Sequence, residues 1–162
     1  VSRFLAFCMT LLALLSSAAS AQTQIDLGAL VVDPGAAIEV TSQTLSVDQD
    51  TGIAVFTGDV LVIQGDLRLS AQRVEVVYGS DTDEIARLIA SGDVLLANSQ
   101  DAAEADNADY DITTGLLTLT GDVLVTQGGT VISAQNMVVN VTDGTATMQG
   151  RVRTMLQQGA TE

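Results

Sequence analysis

The chain predicts an all-β fold of stacked antiparallel strands built on an internal repeat. Three observations predict it. First, Thr57-Gly58-Asp59-Val60-Leu61-Val62-Ile63-Gln64-Gly65 returns as Thr120-Gly121-Asp122-Val123-Leu124-Val125-Thr126-Gln127-Gly128, an offset of 63 residues. The same offset carries Asp48 and Thr51-Gly52 onto Asp111 and Thr114-Gly115, and Ser70-Ala71-Gln72 onto Ser133-Ala134-Gln135. Second, from Ile38 onward short runs of Val, Ile, Leu and Thr are punctuated by Asp-Gly, Thr-Gly, Gln-Gly and Ser-Gly pairs, which are strand and turn signals. Third, apolar residues alternate: Leu67, Leu69 and Ala71 share one face, and Arg68, Ser70 and Gln72 the other. A repeat unit of this kind cannot bury its apolar face alone, so units stack into an elongated structure.

Residues 1–21 have the pattern of a cleaved secretory signal. Arg3 is the charged region, Phe4 to Leu15 the apolar region and Ala19-Ser20-Ala21 the small-residue cleavage site, making Gln22 the first mature residue. The apolar run is shorter than the roughly 20 residues that cross a bilayer. The initial Val fits a bacterial chain read from a non-ATG codon. Residues 22–37 form a leader or linker holding the sole proline, in the turn signal Asp33-Pro34-Gly35.

Strands follow near Ile38–Val40, Thr44–Asp48, Ile53–Thr57, Val60–Gln64, Leu67–Ala71, Val74–Gly79, Glu84–Ala90, Val94–Ala97, Ala105–Asp111, Leu116–Thr120, Val123–Gln127, Thr130–Ala134, Met137–Thr142, Thr145–Met148 and Arg151–Leu156. Gly58, Gly92, Gly121 and Gly150 each precede an X-Val step and read as turns. After Ala71 the apolar parity slips to Val74, Val76 and Tyr78. The second copy slips identically, from Ile132 and Ala134 to Met137, Val139 and Val141. A slip at equivalent points indicates a bulge, a corner or a tight turn. Val60 to Ile63 and Val123 to Val125 are apolar on both faces, which fits either an outer covering or plain β-propensity. Residues 157–162 read as a polar flexible tail.

Composition narrows the chemistry. There is no His, Trp or Lys, and the one cysteine, Cys8, sits in the signal. Histidine metal sites, Ser-His-Asp triads, Cys-His pairs and Schiff-base lysines are thereby excluded. A net charge of −14 opposes nucleic-acid binding, which needs a basic footprint. The chain is 47% hydrophobic, enough for a core. Two acidic clusters, Asp81, Asp83 and Glu84, and Asp101, Glu104, Asp106 and Asp109, suit hard cations in principle. They lack the spacing of a calcium loop and equally suit solvated loops. No metal, cofactor or enzymatic activity is expected. The mature interior is aliphatic, with Phe56, Tyr78 and Tyr110 its only aromatics. Such an interior is either an ordinary core or an unfilled groove that admits an acyl chain.

The ordered blocks Ile38 to Leu45, Asp50-Thr51-Gly52-Ile53-Ala54-Val55-Phe56-Thr57-Gly58-Asp59-Val60, Leu69-Ser70-Ala71-Gln72-Arg73-Val74-Glu75-Val76, Ile89-Ala90-Ser91-Gly92-Asp93-Val94, Ala108-Asp109-Tyr110-Asp111 and Leu119-Thr120-Gly121-Asp122-Val123 resemble the OstA-like family of periplasmic lipopolysaccharide-transport proteins. The resemblance covers nearly the whole mature chain and rests on order and spacing. It implies a twisted, V-shaped β-jellyroll over 38–156 whose apolar interior shields the acyl chains of lipid A. It also implies a periplasmic location and head-to-tail association with further copies and with related folds at the inner and outer membranes. The residues expected to line such a groove are Leu45, Val47, Phe56, Val60, Val62, Leu69, Val74, Val76, Leu88, Leu117, Leu119, Val123, Val125, Ile132, Met137, Val139 and Met148. Family members often carry basic residues toward lipid phosphates. Here Arg68, Arg73, Arg87, Arg151 and Arg153 remain, so acyl burial dominates the expected binding. The alternative is a secreted structural β-module that polymerises without lipid and has a fully packed interior.

Overall fold

The computed structural model describes residues 24–26, 36–79 and 84–156. The expected signal segment 1–21 and tail 157–162 lie outside the described residues, as do Asp81 and Asp83 of the first acidic cluster.

Every regular element among the described residues is a strand: β1 (Gln24–Asp26), β2 (Ile38–Thr41), β3 (Thr44–Asp48), β4 (Ile53–Gln64), β5 (Leu67–Tyr78), β6 (Ile85–Ala97), β7 (Asp101–Asp111), β8 (Leu116–Gln127), β9 (Thr130–Asn140), β10 (Thr145–Gln149) and β11 (Arg153–Leu156). All pairings are antiparallel, and β4 to β9 lie side by side in sequence order, as expected of hairpins joined by short turns. The Gly-Asp steps differ from expectation. Gly58-Asp59, Gly92-Asp93 and Gly121-Asp122 are not turns between strands but bulges inside β4, β6 and β8. Both residues of each step take positive φ, 82° and 46° at Gly58 and Asp59 for example. Glycine adopts that backbone freely and Asp tolerates it. The ladder slips at Thr57/Val60, Ser70/Arg73, Ser91/Val94, Glu104/Asn107 and Thr120/Val123, so all six long strands bend along one line.

That line divides the sheet into two leaves. One leaf is bounded by β2 and β11, which pair with β4 and β9. The other is bounded by β3, on β4, and at its far end by β10, on β9, with β1 added outside it. Part of the expected leader, Gln24–Asp26, is thus a strand on the last edge of the sheet rather than plain linker. Residues alternate inward and outward in both leaves, and the inward set forms one core from Ala54 to Met148. Val74, Leu119, Met137 and Val139 are fully buried there. The jellyroll is two leaves joined covalently at the corner, their inward residues packed into one core.

Candidate functional site

The corner is built from a repeated contact. Strands entering it carry Gln43, Gln72, Asp106 and Gln135, and strands leaving it carry Gly58, Gly92, Gly121 and Gly150. Each glycine lies against the side chain of its partner: a Cβ at Gly58 would sit 2.9 Å from the Gln43 Cβ, and one at Gly121 2.7 Å from the Asp106 Cβ. The Gln43 Nε2 donates to Asp59 Oδ2 at 2.7 Å, and the Gln72 Nε2 to Asp93 Oδ2 at 2.6 Å. Backbone bonds from Gln43 N to Gly58 O and from Gln135 N to Gly150 O, both 3.0 Å, close the first and last steps. Sequence reading missed this ladder, although the fixed spacing of Gln72 and Gln135 within the repeat was its visible trace.

The inner faces meet in an aliphatic interior. Register places Val62, Leu69, Leu96, Ala103, Val125 and Ile132 in one inward row of the β2 leaf. Ala54, Val76, Leu88, Tyr110, Leu117, Val139 and Ala146 form a row of the β3 leaf. Of the residues expected inside, Val60, Val62, Val74, Val76, Leu88, Leu117, Leu119, Val123, Val125, Ile132, Met137, Val139 and Met148 are buried, while Phe56 and Leu69 are half-buried. Leu45 and Val47 stand opposite Phe56 and Ala54, on the inward face, yet are 55% and 60% exposed. The reason is position: β3 is the last strand of its leaf, so no next strand covers them. Val94, Leu96, Val141 and Tyr110 belong to the same interior and were not in the expected set.

The interior is closely packed rather than open. The cavity between Val62, Leu67, Leu69 and Leu96 of one leaf and Val74, Leu88, Tyr110 and Leu117 of the other is about 30 Å³. Of the two expectations for the interior, an ordinary core or an unfilled groove, the small volume at this place is the one an ordinary core gives.

Polar groups are kept to the rim and the outside. Gln64 and the Asp101 carboxylate are buried at the turn end of the β2 leaf, where the Gln127 Nε2 donates to Asp101 Oδ2 at 3.2 Å. Burial pushes the Tyr110 hydroxyl pKa up. Arg87 is held above its ordinary value by a forked bond to Asp109, its Nε donating at 2.7 Å. Asp143 is lowered by bonds from the side chain and backbone of Thr145. The second acidic cluster is dispersed: Asp101 points inward, Glu104 and Asp106 are exposed, and Asp109 is taken by Arg87. No group of carboxylates among the described residues is arranged to hold a metal.

The described residues thus form a two-leaved, corner-bent antiparallel jellyroll with an aliphatic interior, and comparison with known proteins specifies the class. Residues 39–159 match the family described as LptA/(LptD N-terminal domain) LPS transport protein. The chain belongs to that family of lipopolysaccharide-transport proteins. Its fold is similar to the crystal structure of LptH, the LptA-homologous periplasmic component of the lipopolysaccharide transport device of Pseudomonas aeruginosa. That match has a TM-score of 0.70 at 18% identity and covers 78% of this chain and 99% of the other. No curated protein matches the sequence.

Proposed function

We propose that the protein binds lipopolysaccharide through the acyl chains of lipid A, held between its two leaves. In this reading it carries the lipid across the periplasm as a segment of an end-to-end bridge from inner to outer membrane, supporting outer-membrane assembly. Its partners are lipopolysaccharide, further copies of itself, and related folds on both membranes. The observation that carries the reading is the interior itself: an aliphatic layer running the length of the stack, with inward-facing Leu45 and Val47 uncovered at its end. Admission of a chain requires the leaves to part about the corner, exchanging side-chain contacts for acyl contacts. Each buried methylene contributes about 0.8 kcal/mol, so one acyl chain offsets the loss of several such contacts.

The ends suit joining. One end presents β2, of four residues, and β3, of five; the other presents β11, of four, bare, and β10, of five, with β1 paired on it. Placing Gln43 of one copy after Gly150 of another continues the corner alternation, and the strands remain antiparallel. Unpaired edges are templates for such addition.

One observation favours the second reading, a structural module without lipid: the interior is packed. Native mass spectrometry of the processed chain with and without lipopolysaccharide separates the two. A bound mass equal to the lipid, with a ladder of protein oligomers, supports the bridge. A ladder without lipid at any concentration supports the module.

A further inference from the structure

The last edge of the β3 leaf is already occupied. β1 pairs with β10, placing Gln24 opposite Thr147, Ile25 opposite Ala146 and Asp26 opposite Thr145. This is the edge on which β3 of a second copy would add in the end-to-end joint. We infer that β1 is a cap: residues 24–26 cover their own chain's β10, and assembly proceeds when β3 of a second copy displaces them. The inference rests on the end-to-end reading above.

Three features support it. β1 is the one described strand whose sheet neighbour is remote in sequence; each other strand pairs with one next to it or one removed. The cap is also short. It forms three register pairs on a five-residue strand, whereas β3 is five residues long and would match β10 throughout. Finally, the companion edge is bare: all four residues of β11 are exposed, and Leu156, on the inward side opposite Thr130, is 70% exposed. A second copy can therefore seat its β2 on β11 first and then exchange β3 for β1, growing a nine-residue joint from a four-residue foothold. A covered edge on the isolated molecule also limits uncontrolled edge pairing.

The test uses a reversible lock. Ile25→Cys with Ala146→Cys places two thiols at opposed positions of the β1–β10 pair, and the only native cysteine, Cys8, lies in the expected signal. The protein is exported under its own leader, and the processed chain is followed by analytical ultracentrifugation, oxidised and reduced. The oxidised form, bonded within one chain, is expected to stay monomeric at concentrations where the reduced form assembles. A chain lacking residues 22–27 is expected to assemble at about tenfold lower concentration than the unaltered chain, equivalent to about 1.4 kcal/mol. Equal assembly of the oxidised and reduced forms overturns the cap. A disulfide formed only between two chains overturns it too, because β1 then belongs to the neighbour. If the unaltered, reduced and shortened chains all remain monomeric, the end-to-end reading itself falls, and the cap with it.

Discussion

Replacing a hairpin-turn glycine and a corner glycine by alanine separates two costs that are usually confounded. Gly65 and Gly121 both have positive φ, 60° and 82°. At Gly65 nothing lies within 4 Å of an added Cβ, so Gly65→Ala carries only the backbone cost of a left-handed alanine, about 1 kcal/mol. At Gly121 the same Cβ would meet the Asp106 Cβ at 2.7 Å, with the Asp106 carboxylate nearer still. A Cβ cannot rotate away, so β7 and β8 must separate at the bend, adding roughly 1–3 kcal/mol of overpacking. Gly121→Ala is therefore expected to cost about 2–4 kcal/mol. Gly92→Ala falls between the two, since the Gln72 Cβ lies at 3.0 Å. Urea unfolding followed by circular dichroism gives the three values from midpoints at constant m. If Gly121→Ala and Gly65→Ala agree within about 0.5 kcal/mol, close approach at the corner is not what requires glycine there.

Three further expectations follow from the geometry. Leu119→Ala removes a fully buried side chain from the centre of the β3 leaf and should cost about 3–5 kcal/mol in a urea melt; a loss under about 1 kcal/mol would mean that the leaves close over the vacancy. Val47→Asp, at a site 60% exposed on the last strand, should leave the monomer's melting midpoint nearly unchanged yet abolish end-to-end oligomers in ultracentrifugation, and persistence of the oligomers would remove β3 from the joint. Because burial raises the Tyr110 pKa above 10.0, its contribution is fully present below that pH and is lost as pH rises through the folded value. Thermal melts of Tyr110→Phe should thus lose less stability than the unaltered protein between neutral and strongly alkaline pH, and parallel pH curves would contradict the assignment.

Much of the strand pattern was legible because period-two alternation reports burial directly. Leu67, Leu69 and Ala71 do share the inward face, and the parity slip before Val74 is the bend. The Gly-Asp steps were misread as turns because a Gly-Asp dipeptide with positive φ serves both a hairpin and a bulge; only the partner strand, continuing past the step with its register shifted by one residue, distinguishes them. About half of the buried hydrophobic residues stood in the expected set; Val94, Leu96, Tyr110 and the buried alanines did not, and neither did the state of the space they enclose. Alternation says which way Val76 and Val139 point, not how far the opposite leaf stands from them.

The sequence alone determined most of the strands and their faces, each encoded within one strand or its neighbour in the chain, and the repeat and the family, carried by the order and spacing of blocks along it. Tertiary structure decided the rest. That the leaves close to a cavity of about 30 Å³ depends on how side chains from both leaves interdigitate. That Leu45 and Val47 are exposed depends on β3 ending its leaf, and that Gln24–Asp26 lies on β10 depends on an edge formed over a hundred residues later. Packing and edge pairing join segments remote in sequence, and no local periodicity carries that information.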